Sequence, residues 1–225
     1  MNDLSRKTLA SIARTQAALA LMLFVPAWTL AYWQAWLYWT VSTAATLTTA
    51  LHFLRRDPAL MQRRLEVGAR AEPLRKQKII QGIGGLLYAA MFVAAGIDHH
   101  LHGAVISVPA TLIADAIVAA GFGLTFVVFK ANTFTASTVT VEAGQHVVST
   151  GPYAIVRHPM YAASVVWFVA TPFALGSRWA LVPAALMSLM LAVRLVDEER
   201  HLRVSLPGYD AYCETVRWRV IPGLW

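Results

Sequence analysis

Residues 151–161 read Gly-Pro-Tyr-Ala-Ile-Val-Arg-His-Pro-Met-Tyr. A Gly-Pro turn signal is followed within this short stretch by two phenols, a guanidinium and an imidazole. Arg157 offers a planar fork for a carboxylate or phosphate. His158 can donate, accept or stack, and Tyr153 and Tyr161 can flank a flat ring. Together they suit a charged, partly aromatic small molecule. They also suit an interfacial anchor, with Arg157 on headgroups and the tyrosines in an aromatic belt. Pro159 disfavours the helical region for His158 and predicts a helix that starts with Pro159 near its first position.

A second group follows in Arg194, Glu198 and Glu199. Arg194 and Glu198 are four apart and share a helix face. Arg194 still lies inside an apolar run, where a guanidinium needs an acidic partner or an anionic ligand. Glu198 can be that partner or can hold a ligand ammonium. The plain alternative is a helix-end ion pair with a snorkelling arginine. Beyond it, Gly208, Tyr209 and Tyr212 predict a short amphipathic helix closing over a pocket or lying on the interface. His99, His100 and His102 lack the i,i+4 spacing of a helical metal site, and no metal is expected. Asp115 is an acid inside an apolar run, a functional hypothesis by default. Gly82-Ile83-Gly84-Gly85 has no strand before it and reads as close helix packing.

These groups need elements to hold them, and the composition says which. Of 225 residues, 57% are hydrophobic and only 14% charged, against about 25% charged in a soluble domain. A mean hydropathy of +0.53 agrees. Lipid therefore solvates most of the chain. The single Cys213 excludes an intrachain disulfide framework. Apolar runs fall at residues 17–32 (interrupted by Pro26), 33–54, 79–97, 104–129, 161–175 and 179–196. The first is read as a retained membrane helix rather than a signal peptide. A basic segment, 55–78, mixes arginines with Leu60, Met61 and Leu65 and predicts an interfacial helix.

The expected fold is all-α, a multi-pass transmembrane bundle of about five to six helices with a cytosol-facing pocket in its C-terminal part. Residues 1–130 form its N-terminal part and 131–225 its chemical part. With both termini cytoplasmic, every Lys and Arg except Arg178 falls on or near the cytoplasmic side. The net charge of +7 then reads as topology and attraction to anionic lipids. No nucleic-acid partner is expected, because no soluble basic domain is evident.

In combination these blocks resemble the isoprenylcysteine carboxyl methyltransferase family in its broad bacterial form. The resemblance lies in residues 144–153 (Gly-Gln-His-Val-Val-Ser-Thr-Gly-Pro-Tyr) leading to Arg157-His158-Pro159-Met160-Tyr161. It continues in Arg194 with Glu198-Glu199, and in Gly208, Tyr209, Tyr212 and Pro222. Gln145 stands where that family usually has His, and Ala163 where it has Gly. The resemblance implies an integral membrane methyltransferase, placed in a bacterial inner membrane, using S-adenosyl-L-methionine. Its substrate would be a lipophilic small molecule or lipidated acceptor arriving from the bilayer. Carried over by position, Gln145, His146, Val147, Val148, Tyr153, His158, Pro159, Met160, Tyr161 and Glu198 would line the cofactor pocket, with Arg157 beside them. Arg194 would orient the nucleophile.

A carboxylate acceptor needs no base. An amine or phenol does, and Glu199 or His158 is expected to serve. O-methylation of an isoprenylcysteine-like carboxylate is the leading expectation. The alternatives are N-methylation of a phospholipid or other amine, an NADPH-dependent sterol-type reductase, and a membrane protein without catalysis.

Overall fold

The computed structural model describes residues 3–65, 75–135 and 146–225. Every regular element among them is helical: α1 (Asp3–Ala27), α2 (Trp33–Arg56), α3 (Pro58–Leu65), α4 (Arg75–His102), α5 (Val108–Ala131), α6 (Pro159–Ala174), α7 (Leu181–Ser205) and α8 (Tyr209–Thr215). A 3₁₀ turn, Gly151–Ala154, precedes α6. Helices α1, α4 and α5 are long and apolar enough to cross a membrane, and α6 is apolar but shorter. This is an integral membrane architecture.

Helix α1 starts well before the apolar run, because Thr8 and Gln16 of its polar half are buried against the bundle. Pro26 falls in its last turn and ends the helix instead of interrupting it. The basic segment also departs from expectation. Leu60 and Met61 of α3 bury into a cluster with Ala50, Phe53 and Phe129, so the apolar side of α3 faces protein, not lipid. Asp57 caps it, its Oδ1 accepting the Leu60 amide at 3.0 Å.

The bundle closes through α5 packed along α6, α1 along α4, and α4 along α7. Two glycines set the closest approaches. A Cβ on Gly96 would stand 2.6 Å from the Leu23 carbonyl oxygen, and one on Gly121 would stand 3.1 Å from the Trp167 Cβ. Gly84 and Gly85, expected at a tight crossing, meet open space. Tyr32 Oη donates to the Leu175 carbonyl at 2.6 Å, and Tyr38 Oη lies 3.1 Å from Thr171 Oγ1. These bonds fix α2 to α6.

At the end of the bundle away from α3, Asp98 accepts from Ser177 Oγ (2.7 Å), Arg178 N (2.8 Å) and Trp179 N (3.1 Å). His102 Nδ1 completes the set at 2.8 Å. His99 stacks on Tyr32 and His100 lies by Trp28, so the three imidazoles face different partners. Both carboxylate oxygens of Asp115 are buried with no hydrogen-bond partner among the described residues.

Candidate functional site

The 151–161 motif forms a shelf at the α3 end of the bundle. Gly151 takes a φ of +59°, a left-handed conformation that glycine adopts without a Cβ clash, and starts the 3₁₀ turn. His158 is extended, with φ −125° and ψ 65°, and Pro159 opens α6, as its position predicts. Met160 packs on the cluster shared by α2, α3 and α5.

The chain beyond α8 returns to this shelf. The Arg157 and His158 amides donate to the Trp218 and Arg219 carbonyls, each at 2.9 Å. Tyr212 Oη donates to the Tyr153 carbonyl at 2.7 Å. Helix α8 therefore closes over a pocket, one of the two placements its pattern allowed.

Between shelf, α7 and α8 lies a cavity of 370 Å³, within the range of about 300–1,000 Å³ usual for small-molecule sites. His146, Val147, Val148, Tyr153 and Arg157 line it, as do His158, Pro159, Met160, Tyr161, Arg194 and Glu198. Gln145 lies outside the described residues. The fold thus gathers around one cavity the residues expected to hold a cofactor and to orient an acceptor.

Tyr161 connects the two principal charges. Its hydroxyl accepts from Arg194 Nε at 3.0 Å and donates to Glu198 Oε2. Sequence spacing suggested a direct pairing of Arg194 and Glu198; the phenol mediates it. The neighbouring glutamate has a different fate. Glu199 is 4% exposed and absent from the residues lining the cavity. Its Oε1 accepts from Arg157 Nε at 2.7 Å and lies 3.2 Å from His158 Nε2, and its Oε2 accepts from Arg219 Nε at 2.9 Å. Burial opposes its ionisation, but the hydrogen bonds of His158, Arg157 and Arg219 prevail and hold the carboxyl well below the usual range. A carboxylate so engaged is a poor base, so the expectation that Glu199 serves as one is revised. Arg157 Nη1 donates to the Val216 and Arg217 carbonyls at 2.8 and 2.9 Å. Its guanidinium is spent on the tail, leaving little to offer a ligand.

His158 Nε2 also lies 3.2 Å from Tyr209 Oη. Burial pushes the Tyr153 phenol up to about 12, and Asn132 Nδ2 donates to it at 3.2 Å.

Sequence reasoning missed the parts of the wall far from the motif. Asn132, Phe134 and Gln81 line the cavity, and Phe134 meets His146 edge to face at 5.5 Å between centroids. A polar Gln81 just inside an apolar run was the available signal. Arg64 of α3 is a further lining residue. Tyr209 and Tyr212 line it too, in keeping with a helix that closes over a pocket.

Residues 109–206 match the phospholipid methyltransferase family. The matched family is one of integral membrane methyltransferases similar to isoprenylcysteine carboxyl methyltransferase. The matched stretch runs from the first turn of α5 through α7 and contains the shelf, Arg194 and Glu198. Helices α1–α4 and α8 lie outside it. Comparison with curated proteins gave no match.

Proposed function

We propose that the cavity binds S-adenosyl-L-methionine and that the chain transfers its methyl group to a lipophilic acceptor drawn from the bilayer. One observation carries the reading: eleven residues expected from the family resemblance, scattered between His146 and Glu198, converge on a single cavity. When bound, the cofactor would supply a sulfonium methyl to the acceptor's nucleophilic atom, the carbon–sulfur electron pair staying on sulfur.

Glu198, tied through Tyr161 to Arg194, sets an acid where the cofactor's cationic end would rest. His146 and Phe134 offer ring faces and edges for its flat base. The hydrophobic Val147, packed with Leu206, Tyr209, Tyr212 and Val216, excludes water from that wall. Loss of charge at the reacting centre is favoured in a dry site, and positioning supplies much of the remaining rate. Arg194 orients the acceptor.

A carboxylate acceptor fits without proton transfer. The description of the matched family favours a second reading, a phospholipid amine. An amine would surrender its proton to Glu198, the carboxylate that faces the cavity. Glu199 then acts as a positioning residue in both cases. An NADPH reductase is disfavoured, because Asp115, the acid inside an apolar run, does not line this cavity.

The test is ligand-dependent thermal stability of the purified protein in detergent. Saturation at about 100 times the dissociation constant adds roughly 2.7 kcal/mol. S-adenosylmethionine and its demethylated product should raise the melting temperature and NADPH should not. Absence of a shift with the first two sinks the reading.

A further inference from the structure

Asn132 is uncharged and lies outside the 151–161 motif, yet it governs a proton on the cavity wall. It follows the last turn of α5. Its backbone is extended, with φ −139° and ψ 104°, and its amide donates to the Val128 carbonyl at 3.0 Å. An asparagine side chain bonds readily to the backbone two residues on, and Asn132 Oδ1 accepts the Phe134 amide at 2.9 Å. Thr133, between the two, is tied to α3. Arg63 Nη1 donates to its carbonyl at 3.3 Å, and its hydroxyl donates to Asp57 Oδ2. The turn is thus braced by a helix other than the one it ends.

A backbone amide can only donate. The Asn132 side-chain oxygen must therefore face Phe134, which leaves its Nδ2 to face the other way. There Nδ2 donates to Tyr153 Oη at 3.2 Å. An amide nitrogen accepts nothing, so the phenol cannot donate back to it. Burial keeps the phenol protonated, and among the described residues no acceptor takes that proton. Asn132, Phe134, His146 and Tyr153 all line the main cavity. Because one side chain bonds both Phe134 and Tyr153, the phenol stands beside the Phe134–His146 ring pair, where a flat base would rest.

We propose that Asn132 is a positioning residue, which turns the Tyr153 O–H into the cavity as a hydrogen-bond donor to a ring nitrogen of the cofactor's purine. The proposal rests on the cofactor reading above. Asn132→Asp tests it with almost no change of shape. The new carboxylate still accepts the Phe134 amide, but it also accepts from Tyr153 and so draws the phenol's proton away from the ligand. Tyr153→Phe removes the same donor directly.

The experiment is calorimetric titration of the full chain in detergent with S-adenosylhomocysteine and its 1-deaza, 3-deaza and 7-deaza analogues. Each single variant should weaken S-adenosylhomocysteine about five- to tenfold. The double variant should be no weaker than either single one, because both changes remove one hydrogen bond. One deaza analogue should bind wild type as weakly as the parent binds Tyr153→Phe, and should lose nothing further in that variant. A wall that merely collapses would instead weaken every analogue alike, and that result overturns the proposal. So do losses that multiply in the double variant, or wild-type affinity in either single variant. Should Asn132→Asp fold poorly, Tyr153→Phe and the deaza series still decide whether the donor reaches the base. No binding of S-adenosylhomocysteine to wild type sinks the cofactor reading and this proposal with it. Binding by wild type that the variants leave unchanged sinks this proposal alone.

Discussion

Two buried carboxylates, Asp98 and Glu199, clamp opposite ends of the bundle, and they do so with different donors. Asp98 takes a hydroxyl, two backbone amides and an imidazole. The first amides of a helical turn have no intrahelical partner, so the segment entering α7 offers neutral donors ready-made. Glu199 must knit α6, α7 and the tail where the backbone is already engaged, with Arg157 and His158 amides paired to Trp218 and Arg219. Only side chains remain, and two of them are guanidiniums. The difference has a functional result. By taking up Arg157 and Arg219, Glu199 leaves Arg194, Tyr161 and Glu198 as a linked polar group on the cavity wall.

Breaking the charged clamp should cost most. Glu199→Ala strands a buried Arg157 and should destabilise the protein by about 3–5 kcal/mol. Thermal melts should show this, and limited proteolysis should show release of the tail, with cofactor binding lost as well. Asp98→Ala should cost less, about 1–3 kcal/mol for the donors it strands, and should leave the ligand-induced shift in melting temperature unchanged. If cofactor binding falls equally in both variants, the contrast between the two ends fails.

Acidification offers a third comparison. The folded carboxyl of Glu199 is depressed below its unfolded value of about 4.3, so its contribution is full above that pH and lost as pH falls through the folded value. Wild type should therefore lose stability below about pH 4.3 more steeply than Glu199→Gln. Parallel curves would show that the clamp does not titrate in this way. Tyr161→Phe removes one bridging hydroxyl and should cost about 1 kcal/mol, while methyl transfer falls by much more. Glu198→Gln should disturb stability least and yet abolish the shift with S-adenosylmethionine. A Glu198→Gln protein that binds the cofactor normally would assign the cavity's acid wrongly.

Much of the site was legible because its chemistry is local. The turn at Gly151, the extended His158 and the helix start at Pro159 each follow from one residue's backbone preference. The pairing across Arg194 and Glu198 follows from helix periodicity. Other parts were not legible. The burial of α3 against Phe53 and Phe129 depends on how α2 and α5 cross. The tight contacts fall at Gly96 and Gly121 and not at the Gly-rich stretch of α4, because crossing points are set by whole-helix packing. Arg64 carried no signal among its many basic neighbours.

The sequence by itself determined an all-helical membrane chain, a basic end and a polar motif suited to a charged ligand. Hydropathy, charge placement and backbone preference are properties of short segments, so they survive without tertiary contacts. Only the tertiary structure decided which of two adjacent glutamates faces the cavity. Successive residues on an α-helix point about 100° apart, so Glu198 and Glu199 must face different surroundings. Which surroundings those are depends on where α8 and the tail return. They return over Glu199, and Glu198 is left to the cavity.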